Sequence, residues 1–338
     1  MHRGPGSGSL RRSLRVAVTL RSPAVPAYTH DAVLAWGIGA RLGDRLQEGP
    51  THADDRPTTI VVVDTRASGP TQQYIVHGRA SIPGWFVQQD AELFALLSAL
   101  QHEEGVVGDL LEIGVYQGRS AVLLGYLTGP DERVILCDLF GSSPDATPDI
   151  RHDLQGYDGL DLETFAAHWH RFHAGEPGEI VVGRSSRLEG RSWDRPVRFI
   201  HIDGGHTYDV VRDDISIARD ALADAGGVVV FDDVRASHAP GVGAAVWAAV
   251  ESGGLVPFAQ SWKLYASWDA QFAARAADAV FRAMPCTDHV VHDHRLVEVH
   301  ELPRSRPTIT HRLTPPALVP AASKLRRSLR AAARRPKR

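Results

Sequence analysis

Hydrophobic positions along the chain follow two patterns, helical spacing and short apolar runs. After Gly84, the residues Ala91, Phe94, Leu97 and Leu100 recur on one side of a helix, so the spacing predicts an amphipathic helix. The chain before this helix is rich in Pro, Gly and Arg and shows little periodicity. Two short elements are predicted there, a helix at Asp31–Leu46 and a strand at Thr58–Asp64.

From residue 109 onward, apolar runs alternate with helical stretches. The runs DLLEIGV, RVILCDLF, EIVVGRS, VRFIHIDGG and VVVFDDV are nearly continuous in apolar residues, as strands buried on both faces are. Helical patterns lie between them, which predicts an α/β fold with a mostly parallel sheet and helices on both faces. FAQSWKLYAS is typical of a short strand pair, and residues 270–300 add a helix and a strand.

Composition is that of a soluble globular protein, with 43% hydrophobic and 23% charged residues. Cys137 and Cys286 are too few for a disulfide framework, which favours a reducing, cytoplasmic setting. No apolar run reaches the length of about 20 residues that a membrane span needs. The basic N-terminus lacks the apolar core of a signal peptide, so we expect a cytoplasmic protein.

Charge is distributed unevenly along the chain, although the net charge is only −3. Residues 323–338 hold eight Lys/Arg and residues 1–21 hold five Arg, both without acids, which leaves a net charge of −16 for residues 22–322. Basic ends of this kind are usually solvated tails, so we expect no nucleic-acid contact from them. The alternative is docking on nucleic acid or on an anionic membrane.

Two glycines four residues apart follow the first apolar run of the alternating region. Glycine at such a turn permits positive φ and lets the backbone approach a ligand. The dinucleotide fingerprint G-x-G-x-x-G requires a second glycine where this chain has Tyr116. The prediction of a dinucleotide-binding site therefore loses its main support. A phosphate-binding P-loop is also excluded, because no Lys-Ser/Thr pair follows Gly118.

The motif acid-x-Gly-x-x-x-Gly resembles the first motif of S-adenosylmethionine-dependent methyltransferases of the Rossmann-like class, and the resemblance extends over residues 84–268. It implies a seven-strand-type sheet with S-adenosylmethionine at the turn. Asp138 stands at the end of the second strand, where a carboxylate accepts the ribose hydroxyls. Ser185, after the third strand, is implied at the adenine end. The implied cofactor-binding residues are Glu112, Gly114, Tyr116, Gly118, Ser120, Asp138, Ser185 and Asp203.

Three acids, Asp203, Asp232 and Asp233, end two further strands and are expected to meet at one edge of the sheet. Clustered carboxylates repel one another unless a cation joins them, and oxygen ligands suit Mg²⁺. Such an ion would bind a substrate hydroxyl and lower its pKa. His206 follows Asp203 closely and is our candidate base, with Asp203 as a second catalytic residue. A helix cap is the alternative role of Asp233.

The ordered motifs GWF, LLEIGVYQGRS, IDGGHTYDVVRDD, GGVVVFDD and PGV resemble the macrocin and mycinamicin sugar O-methyltransferases and the related cephalosporin hydroxylases. In that group the acids matching Asp203, Asp232 and Asp233 hold magnesium. The resemblance implies metal-assisted methylation of a small-molecule hydroxyl, such as a sugar of a natural product. One alternative is a cephalosporin-hydroxylase-like member with altered chemistry. The other is a non-catalytic cofactor-binding module that acts through its basic tail.

Several features remain open at this point. Trp85 and Phe86 either cover the cofactor or pack on the neighbouring helix. AAHWHRFHAG either lines the acceptor pocket or is an ordinary amphipathic helix, and the chain leaves homo-oligomer formation open. The expected division is a partly disordered N-terminal extension at 1–80, a cofactor-binding methyltransferase domain at 81–270, a helix and strand addition at 271–302, and a Pro-rich linker with basic tail at 303–338.

Overall fold

A computed structural model describes residues 69–141 and 159–300. The predicted helix at Asp31–Leu46, the predicted strand at Thr58–Asp64 and the linker and tail at 303–338 lie outside the described residues.

The apolar runs of the alternating region form the strands of one sheet. Their central members are rich in Val, Ile and Leu and are buried along their whole length, because helices cover both of their faces. The strands are β1 Asp109–Ile113, β2 Val134–Asp138, β3 Glu179–Val182, β4 Val197–Ile202, β5 Val228–Phe231, β6 Val256–Gln260, β7 Leu264–Ser267, β8 Cys286–Val291 and β9 His294–Val299.

The strand order is β3-β2-β1-β4-β5-β7-β6-β9-β8. Strands β1 to β5 are mutually parallel, and β7 runs antiparallel to both of its neighbours, β5 and β6. The order in which strands are added reverses between β1 and β4, because β2 and β3 lie on one side of β1 and β4 and β5 on the other. The mostly parallel α/β sheet predicted from the sequence is confirmed.

Helices cover both faces of this sheet, as predicted. Helices α1, α2, α3 and α6 bury apolar residues against one face, and α4 and α5 against the other. The four apolar positions that predicted α1 are all buried. The helices are α1 Gln88–Glu103, α2 Arg119–Leu127, α3 Leu162–His170, α4 Tyr208–Ala221, α5 Pro240–Ser252 and α6 Ala270–Ala283, preceded by the short helical pieces Pro70–Gln73, Tyr74–Gly78 and Arg79–Ser81.

The end of the described chain differs from the sequence prediction of one helix and one strand. A helix, α6, is present, but two strands follow it as a hairpin, β8 and β9. The connection is His292–Asp293, and both residues have positive φ (48° and 63°), as the turn of a two-residue hairpin requires. The hairpin extends the sheet, because β9 pairs in parallel with β6.

A buried ion pair joins the amino-terminal ends of the strands. Arg198 in β4 is fully buried and donates to both carboxylate oxygens of Glu132 at 2.8 Å. Its guanidinium also donates to Gln101 Oε1, the carbonyl of Leu127 and Ser98 Oγ, at 2.8, 2.7 and 3.1 Å. Burial alone would raise the pKa of Glu132, but the bonds from Arg198 and from two backbone amides outweigh it and lower the pKa to about 2.

In residues 69–141 and 159–300, none of the helices combines the length and the hydrophobicity that a membrane crossing requires.

We expect Glu132→Gln to destabilise the fold by about 3–5 kcal/mol, because it leaves the Arg198 charge buried and uncompensated. The pKa of Glu132 is lower in the folded chain than its ordinary 4.5. The stabilisation is therefore complete above about pH 4.5 and is lost as the pH falls toward about 2. Urea unfolding followed by circular dichroism, at neutral and at acid pH, measures both effects.

The matched control is Glu179→Gln, because Glu179 pairs with Arg191 at the surface. Exposed pairs contribute only about 0–1 kcal/mol. Equal free energies of unfolding for the two variants at neutral pH would contradict the role of the buried pair.

Candidate active site

The glycine turn after β1 has the backbone geometry that its sequence requires. Gly114, Tyr116 and Gly118 all have positive φ, at 87°, 52° and 91°. A side chain at Gly114 would meet the carbonyl oxygen of Asp203, and one at Gly118 would meet the ring of Phe165. Glycine is needed at both ends of the turn because neighbouring chain approaches it closely there.

Asp138 binds the glycine turn itself. Its Oδ2 accepts the amides of Val115 and Tyr116 at 2.5 and 2.9 Å, and its Oδ1 accepts the amide of Phe140 at 2.8 Å. Burial raises the pKa of Asp138, and these backbone bonds oppose the increase. The carboxylate therefore fixes the turn after β1 against the turn after β2, and its contact with ribose stays a prediction.

Glu112, the acid of the motif, is fully buried at the end of β1. Its Oε1 lies 2.6 Å from His201 Nδ1 in β4, and the Ser120 hydroxyl also interacts with its carboxyl. Desolvation raises the pKa of Glu112 well above its ordinary value and lowers that of His201 well below. The imidazole of His201 is therefore neutral at physiological pH, and its Nε2 faces Asp203 at 3.8 Å.

Ser185 lies after β3, in a short 3₁₀ turn. Its hydroxyl interacts with the buried carboxyl of Asp214 in α4. Desolvation of Asp214 raises the pKa of that carboxyl to about 7. The adenine contact of Ser185 stays a prediction.

The carboxylates of Asp203 and Asp232 converge beyond β4 and β5, and an ammonium group joins them. Lys263, just before β7, is fully buried and contacts Asp232 Oδ2, with Asp203 Oδ2 at 3.4 Å from its Nζ. Desolvation and repulsion by Asp232 raise the pKa of Asp203 to about 8. Desolvation acts on Asp232 in the same direction, but Lys263 outweighs it and lowers that pKa to about 2.

Asp233 has a different set of partners. Its φ of 55° turns the chain, and its Oδ2 lies 3.3 Å from His206 Nε2. His238 approaches the other oxygen of the same carboxylate at 3.9 Å. The carboxylate of Asp233 therefore orients the imidazole of His206.

A family model described as a methyltransferase domain matches residues 111–234. That span begins in β1, includes the glycine turn and ends just after Asp232 and Asp233. The chain contains a methyltransferase domain. The expectations of a class I methyltransferase, whose fold is Rossmann-like, and of an enzyme are thereby confirmed.

Comparisons of the methyltransferase with individual protein sequences and solved structures give weaker similarities than the match to the family model. No curated protein sequence matches it significantly. Similar solved structures include the O-methyltransferase NovP, with 16% identity, 52% of this chain and 78% of that chain covered, and a TM-score of 0.41. CalS11, a TDP-rhamnose 3'-O-methyltransferase of calicheamicin biosynthesis, has 17% identity, coverage of 61% and 89%, and a TM-score of 0.40. At these values, neither similarity carries an argument about the acceptor.

The residues predicted to hold magnesium do not fit that ion as they are arranged in the methyltransferase. Within the described ranges, the three side chains close enough to share a metal are those of His201, Asp203 and Asp232, with ligand atoms within 4.8 Å of one another. Asp233 is outside this group. The Lys263 ammonium already contacts both carboxylates and offsets one of their two negative charges, which weakens their attraction for a divalent ion.

Aromatic and histidine side chains surround the glycine turn. Trp85 is 69% exposed and stacks on Tyr116, with ring centroids 5.6 Å apart, whereas Phe86 is buried. In α3, the ring of His168 bonds to the carbonyl of Gln117, within the turn, at 3.0 Å. Trp85 therefore lies beside the turn, and α3 supports the turn from its other side.

Sequence reasoning missed three residues of this site: Lys263, His201 and Asp90. Asp90 in α1 accepts the hydroxyls of Ser261 and Tyr265, which fixes the β6–β7 connection that carries Lys263. The available signal was a charged residue inside an apolar segment, as in SWKLY and FIHID. Charged residues are almost never fully buried without a partner.

We expect Gly114→Ala to lower the free energy of unfolding by about 2–4 kcal/mol, since the new methyl group adds a clash with Asp203 to the strain of positive φ. Gly105→Ala is the control, because Gly105 has a φ of 71° and open space where a side chain would lie. The control should cost about 1 kcal/mol. Chemical denaturation measures the difference. Equal losses of unfolding free energy in the two variants would show that the turn is not tightly packed against Asp203, at the end of β4.

Proposed function

We propose that this methyltransferase transfers a methyl group from S-adenosylmethionine to a hydroxyl of a small molecule, with a sugar of a natural product as the acceptor class. The observation that carries the proposal is the contact between the glycine turn and the acid cluster, which consists of Asp203 and Asp232. Gly114 packs on the backbone of Asp203, whose amide donates to Ile113 at 2.7 Å. A donor bound at the turn would therefore lie beside the acidic side chains, at the carboxyl edge of the sheet where ligands of such folds bind.

The cofactor side of the site is the turn and its supports. Bound S-adenosylmethionine supplies an electrophilic methyl group on a positively charged sulfur. Gly114 and Gly118 let the turn pack closely on Asp203 and Phe165, and the exposed ring of Trp85 offers a flat apolar surface beside the turn. Asp138 holds the turn in its shape through two backbone amides.

On the acceptor side, Asp203 and Asp232 offer oxygens that accept a hydrogen bond from the substrate hydroxyl. His206, oriented by Asp233, is the base that takes the hydroxyl proton. Methyl transfer needs alignment and deprotonation, and holding the reactants in line supplies much of the rate. The sugar acceptor is supported by the motif resemblance. The same resemblance implies a magnesium ion, but Lys263 contacts the carboxylates that would hold it, and no step here depends on the ion.

Calorimetric titration of S-adenosylmethionine tests the cofactor site. We expect micromolar binding to the wild-type chain and binding weaker by about tenfold or more in Asp138→Ala, since the turn loses the acceptor that shapes it. Asp213→Ala removes an exposed acid on α4 and should bind as the wild type does. Absence of binding to the wild-type chain, or equal affinity of all three proteins, would refute the cofactor site.

The role of His206 is tested by His206→Asn. We expect transfer of labelled methyl to glycosylated acceptors to fall by about 10²–10⁴-fold, with little change in S-adenosylmethionine affinity, because general-base catalysis is lost. His238→Asn is the control, since His238 faces the same Asp233 from a more exposed position. Undiminished transfer in His206→Asn would exclude His206 as the base.

A further inference from the structure

The acid cluster contains its own positive charge. The side chain of Lys263 is only 1% exposed, and its Nζ contacts the carboxylates of Asp232 and Asp203. The next residue, Leu264, pairs with Phe231 in the antiparallel β5–β7 ladder, which places Lys263 opposite Asp232. The contact is therefore fixed by the register of two central strands and not by a mobile surface side chain.

Lys263 has further buried neighbours besides Asp203 and Asp232. Its Nζ lies 5.7 Å from the centroid of the Phe86 ring, and the buried carboxyl of Asp90 is close enough to act on its charge. Asp90 in turn accepts the hydroxyls of Ser261 and Tyr265, on either side of Lys263 in the chain.

We propose that Lys263 takes the place of the divalent cation in this methyltransferase, so that Asp203 and Asp232 work without a bound metal ion. The inference rests on the proposed methyl transfer and concerns what neutralises the negative charge of the acid cluster. A metal held by His201, Asp203 and Asp232 would need the carboxylate oxygens that Lys263 contacts. Mg²⁺ requires oxygens at about 2.0–2.1 Å in octahedral geometry, which an adjacent ammonium group prevents by repulsion and by occupying the space.

The proposed reaction is balanced without the ion. A lone pair of the acceptor oxygen forms the new O–C bond, and the C–S bond breaks with its electrons going to sulfur, which becomes neutral. The hydroxyl proton passes to His206. Lys263 is a positioning residue here, because it touches Asp203 and Asp232 and holds their oxygens toward the acceptor.

Metal binding is the direct test, and it does not depend on activity. Free Mn²⁺ is followed by electron paramagnetic resonance while each protein is titrated at about 1 mM metal, where weak carboxylate sites still bind. We expect no retained Mn²⁺ in the wild-type chain, in Lys263→Arg or in Arg235→Met. Lys263→Met should retain one ion per chain. Arg235→Met is the matched control, since Arg235 bonds to the Ser261 carbonyl but not to the acids.

One ion retained by the wild-type chain and lost in Asp232→Asn would overturn the proposal. A chelator experiment provides a second test that needs no variant, in case Lys263→Met does not fold. Methyl transfer by the wild-type chain should change less than about twofold with excess chelator, and a larger loss that Mg²⁺ restores would also overturn it. The two failures are distinguishable: absence of S-adenosylmethionine binding would refute the proposed function, whereas S-adenosylmethionine binding together with a retained Mn²⁺ at these acids would overturn only the replacement of the metal.

Discussion

The contact between Asp232 and Lys263 depends on the register between β5 and β7. Phe231 opposes Leu264, so Asp232 and Lys263 face each other where both strands reach the carboxyl edge of the sheet. A buried charge is tolerated only when it is paired and hydrogen-bonded, and these two residues satisfy each other. Asp203 reaches the same ammonium from β4 and also packs on the glycine turn through its backbone. The pairings of β1, β4, β5 and β7 thus bring the two acids and the glycine turn to one edge of the sheet.

Charged residues are buried at both ends of the parallel strands, but the two ends differ in how completely the buried polar atoms are hydrogen-bonded. At the amino ends, Arg198 binds Glu132, Gln101 and a backbone carbonyl, and this network makes the base of the sheet rigid. At the carboxyl ends, Glu112 Oε2 and His201 Nε2 are buried without a hydrogen-bond partner. Such groups are rare in folded proteins, and a catalytic role is one of the reasons for which they are kept. The amino ends of the strands therefore contribute to stability, whereas the carboxyl ends carry the candidate site.

Local sequence was sufficient for the fold and for part of the site. Apolar runs and helical spacing predicted the sheet and its covering helices, and the acids after two parallel strands predicted that Asp203 and Asp232 would meet. Lys263 was missed because its partner is set by an antiparallel pairing between distant segments, which no local pattern shows. Asp233 was expected in the same cluster, but a single positive φ turns it toward His206. Asp138 stands at the predicted strand end, with its carboxylate committed to backbone amides.

The hairpin of β8 and β9 has a consequence for solubility. Without it, β6 would be the last strand of the sheet, and the central residues of β6 are buried and apolar. An exposed strand of that kind is a template for edge-to-edge association with other chains. The hairpin covers β6 and presents β8 as the outer strand, whose middle residues are solvent-exposed and include Asp288 and His289. A polar border of this kind discourages aggregation of the sheet during and after folding.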